Sequence, residues 1–245
     1  MSDEILKPFL CLPFKEQVHK ITEGWHYSEQ EKSIHGFSGH GGIDFAFPRG
    51  TKVLAAADGW AIASYFWKPV KNEDGSSRLY KGKEVGFGLG YFVQIYHPKV
   101  HLYTSYGHLE RVVEKIKFHR PIKVKDVLWP IGNKIDPENF SRYRFAKFVR
   151  AGDLIGYVGD SGLTWGYSDY PQRPNTHKYP SWDKTHLHFE VFTRIGSRKK
   201  KKYFDPYGIK SDFKDYPGSD RLDNLPNMGS KSTVLWLLNH EGMPQ

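Results

Sequence analysis

Two histidines, His186 and His188, stand one residue apart in the run THLHFEV. In a strand, side chains two apart share a face, so the two imidazoles point the same way and Leu187 points into the core. They suit a pair of metal ligands, or one ligand and one proton-transfer group. A second cluster lies in SGHGGIDFAFPRGTKVLAAADGW, residues 38–60, where His40 and Asp44 are separated by three residues. On a helix that spacing aligns two ligands, but Gly41 and Gly42 oppose a helix. The expected form is a glycine loop that brings His40 back beside a strand bearing Asp44. Two imidazole nitrogens, one carboxylate and an open fourth position make the donor set of a catalytic zinc. Softer metals favour sulfur donors, and Cys11 is the only cysteine. His108, in YTSYGHL, is read at a strand end from which its side chain reaches across a neighbouring strand.

Each motif alone is weak evidence, because most His-x-His pairs are surface or core pairs. Residues 40–44 and 186–188 persuade only together, each inside its own strand pattern. His19, His26, His35, His97, His101, His119 and His177 have no partner at ligand spacing and are read as structural, with His35 the nearest to the motif. Glu190 shares the strand face of His186 and His188, either orienting a ligand or forming a plain ion pair. Tyr106 shares a strand with His108 and is read as a packed aromatic in preference to a substrate contact.

The elements that must position these groups are mostly strands. Ile43, Phe45 and Phe47 alternate with Asp44 and Ala46, the period of a half-buried strand. Further strands are expected over Thr51–Ala57, Trp60–Trp67, Tyr91–Tyr96 and Leu102–Leu109, with Asp58-Gly59 as a tight turn. VRAGDLIGYVGDSG, residues 149–162, reads as two short strands joined by glycine turns, and THLHFEVF as a strand. Ser232 to Asn239 is expected as one short helix, with Ser230 or Ser232 capping it and Gly242 beyond its end. No helix–strand alternation and no solenoid repeat appear.

With 24 Gly and 15 Pro among 245 residues, turns are frequent, and aromatics make up 16% of the chain. The net charge of +9 favours anionic partners. The dense basic run Arg198 to Lys202 carries no nucleic-acid motif and is expected to be a solvated loop. No apolar run approaches the length of a membrane span, about 20 residues. The start, MSDEILKPFLCLPFKEQ, lacks the basic region and apolar core of a signal peptide.

These segments, in this order, resemble the lysostaphin/LytM-type family of zinc endopeptidases, which cut peptide cross-links of bacterial cell walls. HGGIDFAFPRGTKVLAAADGWAIAS is similar to the family's first metal motif and its following strands. GLGYFVQIYH and YTSYGHL resemble its central hairpin, VRAGDLIGYVGDSG its glycine-turn segment, HLHFEV its second metal motif and YFDPYG its closing Asp-Pro. The resemblance implies a mainly β, single-domain fold: an antiparallel sheet under a substrate groove, with long loop insertions. Residues 1–37 would be an irregular lead-in and residues 38–208 the peptidase domain, with insertions at 68–83, 117–147 and 165–184. Residues 209–245 would be a C-terminal extension carrying the short helix.

The resemblance further implies one zinc ion held by His40, Asp44 and His188, with His108 and His186 as the two non-ligand catalytic histidines. It implies a peptidoglycan peptide as substrate and a location outside the cytoplasm; anionic wall polymers would suit the positive charge. Two alternatives stand beside it. One is a non-catalytic wall-binding or activator protein of the same fold, which the complete ligand set opposes. The other is a zinc peptidase acting on a non-wall protein, which the lack of a visible signal peptide keeps open. No nucleic-acid partner is expected, since no stacking motif or recognition helix is visible.

Overall fold

Alternation along two segments sets the centre of the fold. In Ile43–Ala46 (β2), Ile43 and Phe45 are fully buried on one face while Asp44 turns to the other. In His186–Ile195 (β11), Leu187, Phe189 and Val191 are likewise fully buried. The two strands pair antiparallel, with Phe45 opposite Leu187 and Ile43 opposite Phe189. One face of the pair is therefore core, and the opposite face carries the histidines.

A computed structural model describes residues 7–15, 20–23, 40–80, 83–84, 86–118, 146–162, 185–195, 200–207 and 235–237. The remaining strands are Lys20–Glu23 (β1), Lys52–Leu54 (β3), Gly59–Pro69 (β4), Leu79–Tyr80 (β5), Lys83–Glu84 (β6), Gly86–His97 (β7), Leu102–Val112 (β8), Lys147–Val149 (β9), Leu154–Val158 (β10) and Lys200–Phe204 (β12). An open antiparallel sheet runs β1-β2-β11-β8-β7-β4-β9, with β10 joined to β3 and β8, and β12 joined to β11. β5 and β6 pair separately from this sheet at the end of the expected insertion at 68–83, with Leu79 opposite Glu84 one residue beyond it. Among the described residues there is no helix, and none therefore long and apolar enough to cross a membrane.

Residues 9–10 and 235–237 meet on the core face. The Phe9 and Leu10 amides both donate to the Leu235 carbonyl, and the Leu237 amide donates to Leu10 O. Leu10 and Trp236 are completely buried, and the Trp236 ring stacks on Phe189 at 5.4 Å. Burying a side chain of that size is worth on the order of 3 kcal/mol. Residues 235–237, the described part of the expected C-terminal helix, are extended. Their backbone groups bond to residues 9–10 and to Pro206, where a helix would turn them to their own neighbours. The rest of that helix, the insertion at 165–184 and nearly all of the one at 117–147 lie outside the described residues.

The basic run corrects its expectation in part. Lys200–Phe204 is a strand, not a loop, because its backbone pairs with β11 over Val191 to Ile195. Alternation then turns Lys201 and Tyr203 toward the histidine face.

His97 belongs to the core and not to the site. Its Nδ1–H donates to the Asp58 carbonyl at 2.8 Å, and its Nε2 lies 2.9 Å from Thr104 Oγ1. Thr104 Oγ1 lies 3.0 Å from the Tyr106 hydroxyl, which accepts the Ala56 amide at 2.8 Å. Burial pushes the His97 pKa down to about 4 despite the favourable Asp58 carbonyl. The fold therefore holds neutral His97. Its contribution is fully present above the unfolded value of about 6.5 and is lost as pH falls from there toward about 4. Between pH 7 and pH 5 the wild type is expected to lose on the order of 2 kcal/mol by this route. A His97→Gln variant, less stable at pH 7, should close much of its gap by pH 5. Chemical denaturation at the two pH values measures it.

Candidate metal centre

The register that pairs the core faces also pairs the ligands. His188 lies directly opposite Asp44, and His186 opposite Ala46. Thr185 secures this end of the pair, its hydroxyl donating to Phe47 O at 2.6 Å. His188 Nδ1 is 2.8 Å from Asp44 Oδ1. His40 returns over the two glycines, and its Nε2 is 3.2 Å from the same oxygen. Gly41 has a φ of 74°, a left-handed turn open to glycine at little cost. Gly42 is needed for space: a Cβ there would stand 2.6 Å from His188 Nε2 and Cε1. The expectation of a loop over residues 40–42 followed by a strand is what the structure shows.

His108 reaches the same face by a less regular route. It lies within β8, not at its end. Tyr91 pairs with Leu109 and Val93 with Tyr106, so β8 spends one residue more than β7 over that interval. This is a β-bulge, and His108 carries it with a φ of 58°. A left-handed non-glycine residue costs about 1–2 kcal/mol. Tyr106 and Leu109 are both in the core, so Gly107 and His108 between them turn to the other side. The His108 ring then stands 4.6 Å from the His186 ring and 5.7 Å from that of His188, centre to centre.

A loop after β10 holds the bulge. His108 Nδ1–H donates to Ser161 O at 2.7 Å, and the Gly159 amide donates to His108 O at 2.9 Å. Ser161 Oγ–H in turn donates to Leu109 O at 2.6 Å and accepts the Tyr91 amide at 2.8 Å. Gly90, with a φ of 58°, lets this loop approach: a Cβ would stand 2.0 Å from Ser161 O. Asp160, beside Ser161, is ion-paired with Arg49 from the turn after β2. With Nδ1 committed to Ser161, Nε2 is the nitrogen of His108 that exchanges protons.

The electrostatics follow from burial and crowding. Burial alone would raise Asp44, but the charges of His186 and His40 and hydrogen bonds from His188 and His40 hold it well below the carboxylate range. Burial works against a charged His188, yet Asp44 and Glu190 beside it lift it to about 9. His108 is driven well below the ordinary imidazole value by burial, then by the fields of His186 and His188.

All five expected site residues therefore converge. His40, Asp44 and His188 each offer a donor atom, and these atoms lie within 4.8 Å of one another. His186 stays outside that group, with its Nε2 3.4 Å from Asp44 Oδ2. The contact distances of 2.8 and 3.2 Å at Asp44 Oδ1 are of the order set by one small tetrahedral cation, roughly 3–3.5 Å between donors. The nitrogen and oxygen donors suit zinc. Glu190 faces His188, its Oε1 3.6 Å from Nε2. Tyr106 is the packed aromatic, fully buried and edge-on to Phe189. His101 lies in a turn, 3.0 Å by Nδ1 from the Tyr96 hydroxyl. His19, His26, His35, His119 and His177 lie outside the described residues. Sequence reading missed Ser161 and Lys201. The only available signal was the glycine-flanked GDSG for Ser161 and strand alternation through the basic run for Lys201.

No family model matches the chain, and no curated protein matches it. Among solved structures it is similar to the catalytic domain of the antimicrobial peptidase lysostaphin from Staphylococcus simulans, at 18% identity over 77% of this chain and 89% of that one, with a TM-score of 0.39. It is also similar to a zinc-containing peptidase from Vibrio cholerae (20% identity, 81% of this chain, 39% of that one, TM-score 0.41). A third is Csd3 of Helicobacter pylori (18% identity, 83% of this chain, 34% of that one, TM-score 0.36).

Two outcomes are expected at the centre. Gly42→Ala should displace the His188 ring and weaken zinc binding at least tenfold, as read by competition with a chromophoric chelator. Because Asp44 and Glu190 lift the His188 pKa to about 9, a zinc ion bound there would have to displace that proton. Affinity should therefore rise up to tenfold per pH unit between pH 6.5 and 8.5. Calorimetry in buffers of different ionisation enthalpy should count close to one proton released.

Proposed function

We propose that this chain is a zinc-dependent endopeptidase that hydrolyses amide bonds, with the peptide cross-links of bacterial cell walls as its substrate class. The observation that carries the reading is the bulge at His108. It places a second imidazole beside His186, on the face of the three converging donors, with neither ring in the donor set. A site built only to bind a metal has no use for such a pair, whereas hydrolysis of an amide requires two proton transfers.

His40, Asp44 and His188 would hold the ion. When bound, zinc would supply a Lewis acid for the scissile carbonyl and bring the pKa of a water toward ~7. His108 and His186 divide the proton work between them: one accepts from the attacking water and the other donates to the departing amine. Ser161 keeps the His108 Nε2 directed to this task by holding Nδ1–H. The net charge of +9 favours anionic wall polymers as further partners, and the substrate places the protein's work in the cell envelope.

The test is mass spectrometry of cell-wall fragments after incubation, with and without a chelator. New peptide ends formed only without chelator are expected. His108→Ala and His186→Ala should each lower kcat by about 10²–10⁴-fold while zinc content stays at the wild-type level; Asp44→Ala should lose zinc as well. Bound zinc with no cleavage of any wall or glycine-rich peptide would overturn the enzymatic reading in favour of a wall-binding protein. Loss of zinc from His186→Ala would overturn the ligand assignment.

A further inference from the structure

The basic run ends in an arrangement that the proposed reaction does not use. Lys201 lies opposite Arg194 in the β11–β12 register. Its side chain runs back along the sheet, its Nζ passing 4.1 Å from the Phe192 ring centre and 5.1 Å from that of Tyr203. It ends on Glu190, with Nζ 2.7 Å from Oε2. The other oxygen, Oε1, faces His188 Nε2 at 3.6 Å, within the reach of charge though longer than a hydrogen bond. On the far side of the same ring, Nδ1 faces Asp44. A line of alternating charge thus runs Lys201, Glu190, His188, Asp44.

Stability does not explain the pair. Glu190 is 5% exposed, and the Lys201 side chain is 10% exposed. Desolvating two such charges costs several kcal/mol per ion, and replacing a buried ion pair with uncharged side chains of like volume is often neutral or stabilising. What the pair does is local. Both nitrogens of His188 face a carboxylate, Asp44 at Nδ1 and Glu190 at Nε2; an ion held by Asp44 would take the Nδ1 side, and Glu190 would then keep the remaining proton on Nε2. Lys201, holding the second carboxylate oxygen, keeps Glu190 on the Nε2 side of His188, opposite the side that faces Asp44.

We propose that Glu190 and Lys201 are positioning residues for the metal centre: Glu190 sets His188 to ligate through Nδ1, and Lys201 holds Glu190 in that role and out of the donor set. The inference rests on the metal-centre reading, and the experiment separates the two. Zinc affinity is measured by chelator competition on the wild type, Glu190→Gln, and the double variant Glu190→Gln/Lys201→Met, which leaves no buried charge unpaired. The double variant is expected to keep the wild-type circular dichroism and to bind zinc 10–100-fold more weakly. Long-range proton–nitrogen NMR of the zinc-loaded wild type should show His188 protonated at Nε2 and zinc-bound at Nδ1. A folded double variant with unchanged zinc affinity would overturn the inference while leaving the metal centre standing. Zinc on His188 Nε2 in the wild type would overturn it independently of how the variants fold. A wild type that binds no zinc would overturn the metal centre and this inference with it.

Discussion

Asp44 lies across from His188 because β2 and β11 pair with Ile43 against Phe189 and Phe45 against Leu187. Side chains alternate along a strand, so a slip of one residue would send Asp44 into the core and Phe45 into the site. The apolar side of the pair forbids that slip. All four of those core residues are fully buried, and Trp236 stacks on Phe189 from the core side. Residues 9–10 and 235–237 therefore support the Asp44–His188 register from the core face. The candidate metal centre inherits its precision from packing on the face it does not occupy.

The opposite face carries a cost that the core must offset. His108, His188, Asp44 and Glu190 are all buried there, and buried polar groups are costly unless partnered. The structure answers with mutual partners: Asp44 with His40 and His188, Glu190 with Lys201, and His108 with the Ser161 carbonyl. These contacts compensate burial more than they add stability. Both faces of β11 are thus constrained, the apolar one by packing and the polar one by the requirement that each charge meet another.

The loop at residues 159–162 is the second point of control. It binds the backbone and the ring of His108, bridges Gly159 to His186, and is tied through Asp160 to Arg49 in the turn after β2. The left-handed backbone of His108 persists because these bonds over-determine it. Gly90 makes the close approach feasible, as any side chain there would collide with Ser161. One loop thereby couples the strand that carries Asp44 to His108 and His186.

By itself the sequence determined the strand-rich class, the shared face of His186 and His188, the exposure of Asp44 to that face, and the glycine loop that returns His40. These are local properties: a period of two, and glycines that disfavour a helix, are legible within a few residues. Spacing alone left open which of His186 and His188 joins His40 and Asp44, and the family resemblance pointed to His188; only the tertiary structure decided that His188 lies opposite Asp44, that His108 faces the site through a bulge, and that Lys201 leaves a basic run to meet Glu190. Each of those outcomes depends on a partner strand. The bulge exists only against β7, the register only against β2, and the inward lysine only because β12 pairs with β11. Pairings between residues so distant in the chain leave no periodic mark on either segment. The ligand types and their faces could therefore be read from the sequence, and the register and bulge that bring them together could not.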